Sequence, residues 1–206
     1  MAVTSTSTST STAASSLVAL LDDGATYPRI SAHLDALTQD ERVAQVGAVT
    51  GSRVGKLYDA VKDAPAIGID DFFPPETKDG DTVIYQGRNS LPMFSSFQKR
   101  FCRQGGKGGV IVGYNHQSMG FVTGPGYFVL TPGDDTHPGE ILFDYTQEPP
   151  FFPEGWPAYK RNDSGLSRAV YMHMKDYCRR VAGGVIVGAA FKEGVAQKAY
   201  FTLTKL

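Results

Sequence analysis

The segment Gly108-Gly109-Val110-Ile111-Val112-Gly113 recurs letter for letter as Gly183-Gly184-Val185-Ile186-Val187-Gly188. Its surroundings recur with it. Upstream, Lys99, Cys102 and Arg103 are echoed by Lys175, Cys178 and Arg179; downstream, Tyr127-Phe128-Val129-Leu130-Thr131 returns as Tyr200-Phe201-Thr202-Leu203-Thr204. Further back, Arg88-Asn89-Ser90-Leu91 is answered by Arg161-Asn162, Ser164 and Leu166, and Phe72-Phe73-Pro74 by Phe151-Phe152-Pro153. Several matched blocks in one order read as an internal duplication, and a repeat governs every later assignment.

Working outward from the repeated segment, Val110 to Val112 is a β-branched run behind glycines and reads as a strand. Before it, Ser90 can cap a helix and Pro92 is tolerated in a first helical turn. Phe94, Phe97 and Phe101 then share one helical face, with Ser96, Lys99 and Arg103 opposite, and Gly105-Gly106 ends the element. Thr82-Val83-Ile84-Tyr85 reads as a strand ahead of this helix, and Tyr127-Phe128-Val129-Leu130 as the returning strand. The second copy repeats the order: strand 140–143, a Pro-rich loop, a helix over 166–181, and a hairpin from Val185 to Thr204. In that helix Leu166, Val170, Met174, Tyr177 and Val181 lie opposite Arg168, Lys175 and Arg179.

The expected fold is therefore α+β. Tandem strand-helix-strand-strand repeats, 70–131 and 139–206, share one compact domain and a mainly antiparallel sheet with both helices on one face. The competing arrangement has two sheets facing each other. Residues 1–15 read as a disordered Ser/Thr-rich tail and 16–64 as a helical N-terminal region, with a capping box at Thr38 and Glu41. Residues 63–80, with Pro65, Pro74, Pro75 and Gly68, read as a connector.

Composition narrows the function classes. The chain has 206 residues, 41% of them hydrophobic, enough for a real core. A net charge of -1 removes the bulk electrostatic argument for nucleic acid or an anionic membrane as partner. No apolar run has the length of a membrane span, so a soluble protein is expected. Two cysteines in a chain this long read as thiols of a cytoplasmic protein more than as a disulfide across the repeat axis.

No motif names a reaction, a cofactor or an oligomeric state, so the informative positions are those where the two copies differ in chemical kind. The first copy runs into Tyr114-Asn115-His116-Gln117-Ser118, the second into Ala189-Ala190-Phe191-Lys192-Glu193. An imidazole at His116 suits acid/base chemistry, with Tyr114 or Asn115 orienting a ligand; alternatively Asn115 makes a turn and His116 faces solvent. Asp144 ends an apolar strand and either pairs with His116 or caps the next turn. A small organic ligand at the junction of the copies would be lined by Tyr127, Tyr145, Trp156 and Tyr159, the aromatic loop 151–157 acting as lid or as packing. Asp134-Asp135-Thr136-His137 lacks a second His or Cys at ligand spacing and reads as a turn rather than a metal site. His173 reads as core-edge packing. The alternative function is a noncatalytic module that binds a protein or acidic partner through the basic helix faces of Lys99, Arg100, Arg103, Lys175, Arg179 and Arg180.

Overall fold

A computed structural model describes residues 15–92, 95–117 and 124–206. The Ser/Thr-rich stretch up to residue 14, Phe94 and Ser118 lie outside them.

Eight antiparallel strands close into an up-and-down barrel: β1 (Thr82–Asn89), β2 (Ser96–Gln104), β3 (Val110–His116), β4 (Phe128–Pro132), β5 (Ile141–Asp144), β6 (Met174–Ala182), β7 (Val185–Lys192) and β8 (Val195–Lys205). Each strand pairs with the next, and β1 pairs with β8 through Gly87 opposite Leu203, so the sheet has no free edge. This overturns the expected α+β sheet with helices on one face. Four helices do occupy the N-terminal region: α1 (Leu17–Asp22), α2 (Tyr27–Asp35), α3 (Gln39–Gly47, entered through the Thr38–Glu41 capping box) and α4 (Ser52–Ala60). They pack Leu17, Leu20, Ile30, Leu34, Val54 and Leu57 on the outer wall of β7, against Val185, Val187 and Ala189. The inner face of β7 carries Ile186. A strand buried on both faces has no polar side to show, which explains the unbroken apolar run 185–191.

The two expected helices are mostly strands. Residues 96–104 form β2, and residues 174–182 form β6 after a single short helix, α6 (Ser167–Tyr171). Alternation was hidden in β2 because its inward positions, Phe97, Lys99, Phe101 and Arg103, mix aromatics with cations. In β6 both faces are buried in part, Cys178 inside the barrel and Tyr177 outside. The apparent helical stripe from Leu166 to Val181 therefore joins residues of opposite faces.

The duplication fails for a related reason. Across β3 and β4, Gly113 stands opposite Phe128; across β7 and β8, Gly188 stands opposite Phe201. A Cβ at Gly113 would lie 2.5 Å from the Phe128 ring, and one at Gly188 2.3 Å from the Phe201 ring. The shared letters thus mark one packing device used twice, a glycine that admits a phenylalanine to the barrel interior. On the preceding strands, Phe101 is opposite Gly113 and Cys178 opposite Gly188, so Phe101 and not Cys102 corresponds to Cys178. The letter match Lys99/Lys175, Cys102/Cys178, Arg103/Arg179 is one residue out of register, and a slip of one exchanges the faces. Both cysteines are free and buried, Cys178 in the barrel core and Cys102 beside inward-facing Phe101 on the other face of its strand. The Phe-Phe-Pro echo breaks as well. Phe72 and Phe73 lie in the barrel core, whereas Phe152 is half-exposed on the outside.

One end of the barrel is plugged. Helix α5 (Ile69–Phe72) pushes Phe72 into the interior, where its ring stacks on Tyr85 at 4.4 Å and meets Phe101 edge-on at 4.8 Å. The Tyr85 hydroxyl donates to the Phe72 carbonyl at 2.7 Å, which satisfies that buried acceptor. Arg103 holds the chain below the plug through Asp79, Pro75 and the Thr77 carbonyl, and Arg180 does so through Asp71 and the Ala66 carbonyl. The segment expected to be a mere connector is what stops the barrel.

Candidate functional site

Above the aromatic layer of Phe101, Phe128 and Phe143 the described residues leave part of the interior unfilled. A cavity of about 430 Å³ opens at the end opposite the plug, walled by Phe97, Phe201, Met174, Ala190, Ala199 and, from α6, Val170 and Tyr171. Besides Asn89, Gln117, Lys192 and Gln197, which also line it, four of its polar groups, Lys99, Asn115, Tyr145 and Asp176, gather from β2, β3, the residue after β5, and β6. The register brings them together: Lys99 is opposite Asn115, and Asp176 is opposite Phe143, two residues before Tyr145.

Lys99 is 2% exposed and Asp176 3%. The Lys99 ammonium lies 3.3 Å from Asp176 Oδ2 and donates to Asn115 Oδ1 at 2.7 Å and to the Tyr145 hydroxyl. Tyr145 donates onward to Asp176 Oδ2 at 3.1 Å, and Asn115 Nδ2 donates to Tyr145 and to the Gly126 carbonyl, each at 3.2 Å. Rings of Phe128, Phe143, Tyr145 and Phe201 surround Nζ at 4.7 to 5.1 Å, a cation–π cage for its charge. Burial pulls the Lys99 pKa down, and the Asp176 charge opposes it; burial pushes Asp176 up, and Lys99 opposes that. Burial and the Asp176 charge hold the Tyr145 phenol well above its ordinary range, so it remains a donor.

A stack supports this cluster from the side. Tyr145 lies parallel to Tyr171 of α6, with centroids 5.4 Å apart. Gly126, with φ of 56°, packs so closely beneath Tyr171 that a Cβ would sit 2.4 Å from its ring. Both the positive φ and the close approach require glycine there.

Of the residues expected at a site, Asn115 and Tyr145 are in the cluster and the others are elsewhere. His116 follows Asn115 and so points away from the interior; it is exposed, edge-on to Tyr114 at 6.2 Å, and burial and Arg100 lower its pKa. Asp144 caps the turn after β5, accepting from the Thr146 amide at 2.9 Å, the Thr146 hydroxyl at 2.6 Å and Gln147 at 2.8 Å. Among the described residues no ion pair joins it to His116. Tyr114, Tyr127, Trp156 and Tyr159 pack with Phe152 on the outer wall of β3 and β4. The Tyr127 hydroxyl donates to the Pro157 carbonyl at 2.7 Å, and Asn162 pins the loop through the carbonyls of Tyr127 and Tyr145. His173 is an exposed residue with φ of 58°, 3.8 Å from Glu193. The basic helix faces do not exist: Lys99 and Arg103 point inward and are buried, while Lys175, Arg179 and Arg180 are engaged by Asp134, Glu140 and Asp71.

The Asp134 loop is anchored to the outer wall. Its carboxylate accepts from the Thr136 and Tyr177 hydroxyls and lies 3.5 Å from Lys175, while His137 stacks on Tyr177 at 3.8 Å. Those hydroxyl bonds, Thr136 first, hold the Asp134 pKa far below the usual carboxylate range. A depressed folded pKa gives stability that is complete above the unfolded value of about 3.9 and fades as pH falls below it. Asp134→Asn is expected to lower the melting temperature at pH 7, and the gap to the unmodified protein to narrow as melting is repeated from pH 4 down to pH 2.

Sequence reading put Lys99 on a basic helix face instead of in this cluster and did not single out Asp176. The signal for Lys99 was period two, a lysine alternating with Phe97 and Phe101, and that for Asp176 its alternation with Met174 and Cys178. No group of His, Cys, Asp and Glu among the described residues is arranged to hold a metal ion. No helix among them is long and apolar enough to cross a membrane. No protein-family model, curated protein or solved structure matches this chain.

Proposed function

We propose that the open end of the barrel binds one small, largely apolar organic molecule, whose polar end meets the Lys99–Asp176 cluster. The observation that carries this reading is a buried ion pair, Lys99 with Asp176, at the base of a mainly apolar cavity. Eight strands enclose a space that side chains can just fill or that can hold one small ligand. Here the plugged half is packed with aromatic rings, and in the other half the described residues leave a cavity of about 430 Å³, within the range of roughly 300–1,000 Å³ usual for ligand sites. Desolvating a lysine and an aspartate costs several kcal/mol per ion, and apolar residues of similar size would often serve stability as well or better. An ion pair kept in a cavity under those terms is suited to recognition.

The test uses N-phenyl-1-naphthylamine, a neutral dye that brightens in apolar surroundings. Saturable binding at one dye per chain is expected. Ala190→Trp, which fills the cavity from β7, is expected to abolish it while leaving the circular dichroism spectrum unchanged; His116→Ala and Trp156→Ala are expected to leave it intact. Binding that survives Ala190→Trp but is lost with Trp156→Ala would move the site to the outer wall and overturn the proposal.

A further inference from the structure

The hydrogen-bond inventory of the cluster says what kind of polar group it lacks. All three N–H bonds of Lys99 are directed at acceptors: Asn115 Oδ1, the Tyr145 oxygen and Asp176 Oδ2. Both N–H bonds of Asn115 Nδ2 are used, on Gly126 and Tyr145, and the one O–H of Tyr145 goes to Asp176 Oδ2. Every donor is consumed within the cluster. The unfilled capacity is acceptor: Asp176 lines the cavity, both internal donors fall on its Oδ2, and no hydrogen bond from a described residue reaches its Oδ1. The inventory is that of the ionised pair, with Lys99 donating all three hydrogens and both Asp176 oxygens able only to accept.

We infer that the ligand presents a neutral hydroxyl to Asp176 Oδ1, so that the cavity selects apolar alcohols over carboxylates, ethers and amines of the same shape. This rests on the cavity reading above and names its ligand class. A carboxylate at the cluster would bring two acceptors to groups whose donors are all engaged, beside a carboxylate already present; the amide and ammonium groups of Asn89, Gln117, Lys192 and Gln197 line other parts of the cavity. An ether offers an acceptor only. An ammonium would meet Asp176 but also the Lys99 charge, which is 3.3 Å from the same carboxylate. A hydroxyl supplies the missing hydrogen without adding charge, and its carbon skeleton lies against Phe97, Phe201 and Met174.

Calorimetric titration of the full chain with 1-octanol, octyl methyl ether, octanoate and octylammonium separates these cases. A hydrogen bond to a charged acceptor predicts octanol binding about tenfold or more tighter than the ether, with octanoate and octylammonium weaker still. Asp176→Asn alone leaves Lys99 unpaired and can fail to fold, so the double variant Lys99→Met/Asp176→Leu provides the control: it is expected to bind the octyl chain while losing the preference for the alcohol. Equal affinities of octanol and ether in the unmodified protein, or tighter octanoate, would overturn the inference while leaving a ligand cavity in place. Failure of all four to bind, together with failure of the naphthylamine dye, would remove the cavity reading and this one with it.

Discussion

Asp176→Leu alone is expected to lower the free energy of unfolding by about 3–5 kcal/mol, because it leaves the Lys99 ammonium buried among aromatic rings without its counter-charge. Adding Lys99→Met to the same chain is expected to recover most of that loss. Urea denaturation of the parent, both single variants and the double variant gives the coupling directly. Residues in contact through a buried charge should depart from additivity by well over about 0.5 kcal/mol, the scatter expected of independent sites. If the two losses simply add, Lys99 and Asp176 do not meet inside the barrel. The double variant also separates stability from function, for it should fold well and no longer distinguish an alcohol from an ether.

Phe72→Ala is the second large effect. Phe72 is 1% exposed, stacked on Tyr85 and set against Phe101 and Phe143, so its loss opens a void at the plugged end and should cost about 3–5 kcal/mol. Phe152, its counterpart in the Phe-Phe-Pro echo, is 46% exposed on the outer loop, and Phe152→Ala should cost under about 1 kcal/mol. Chemical denaturation of the two variants side by side reads the difference. Similar losses would mean that the two segments occupy comparable surroundings, which the barrel forbids.

The same contrast shows how far the sequence could be read. Runs of β-branched and aromatic residues marked β1, β3, β4, β5 and the β7–β8 hairpin, and the helix caps marked the N-terminal layer, because those signals are local. β2 and β6 do not read as strands because charges stand at inward positions: Lys99 and Arg103 in one, Asp176 and Arg180 in the other. An inward charge breaks the alternation by which a half-buried strand is recognised. Closure was not legible either, since the pairing of β1 with β8 joins residues more than a hundred positions apart. Asn115 stood out as a polar group at a strand end and Tyr145 as an aromatic wall of the expected pocket. Their partners could be found only once register placed β2 and β6 on opposite sides of a common interior. The recurrent Gly-Gly-Val-Ile-Val-Gly segments were real as letters, yet they reflect what a small barrel demands of a strand that faces a phenylalanine.

A crystal of the protein soaked with 8-bromooctan-1-ol tests the central claim most directly, because the anomalous signal of bromine locates one end of the ligand and the density the other. The hydroxyl is expected within hydrogen-bond distance of Asp176 Oδ1, with the bromine towards the open end near Lys192 and Gln197. Bromine on the outer wall beside Trp156 and Tyr159, or a barrel whose upper half is closed by its own side chains, would contradict the account.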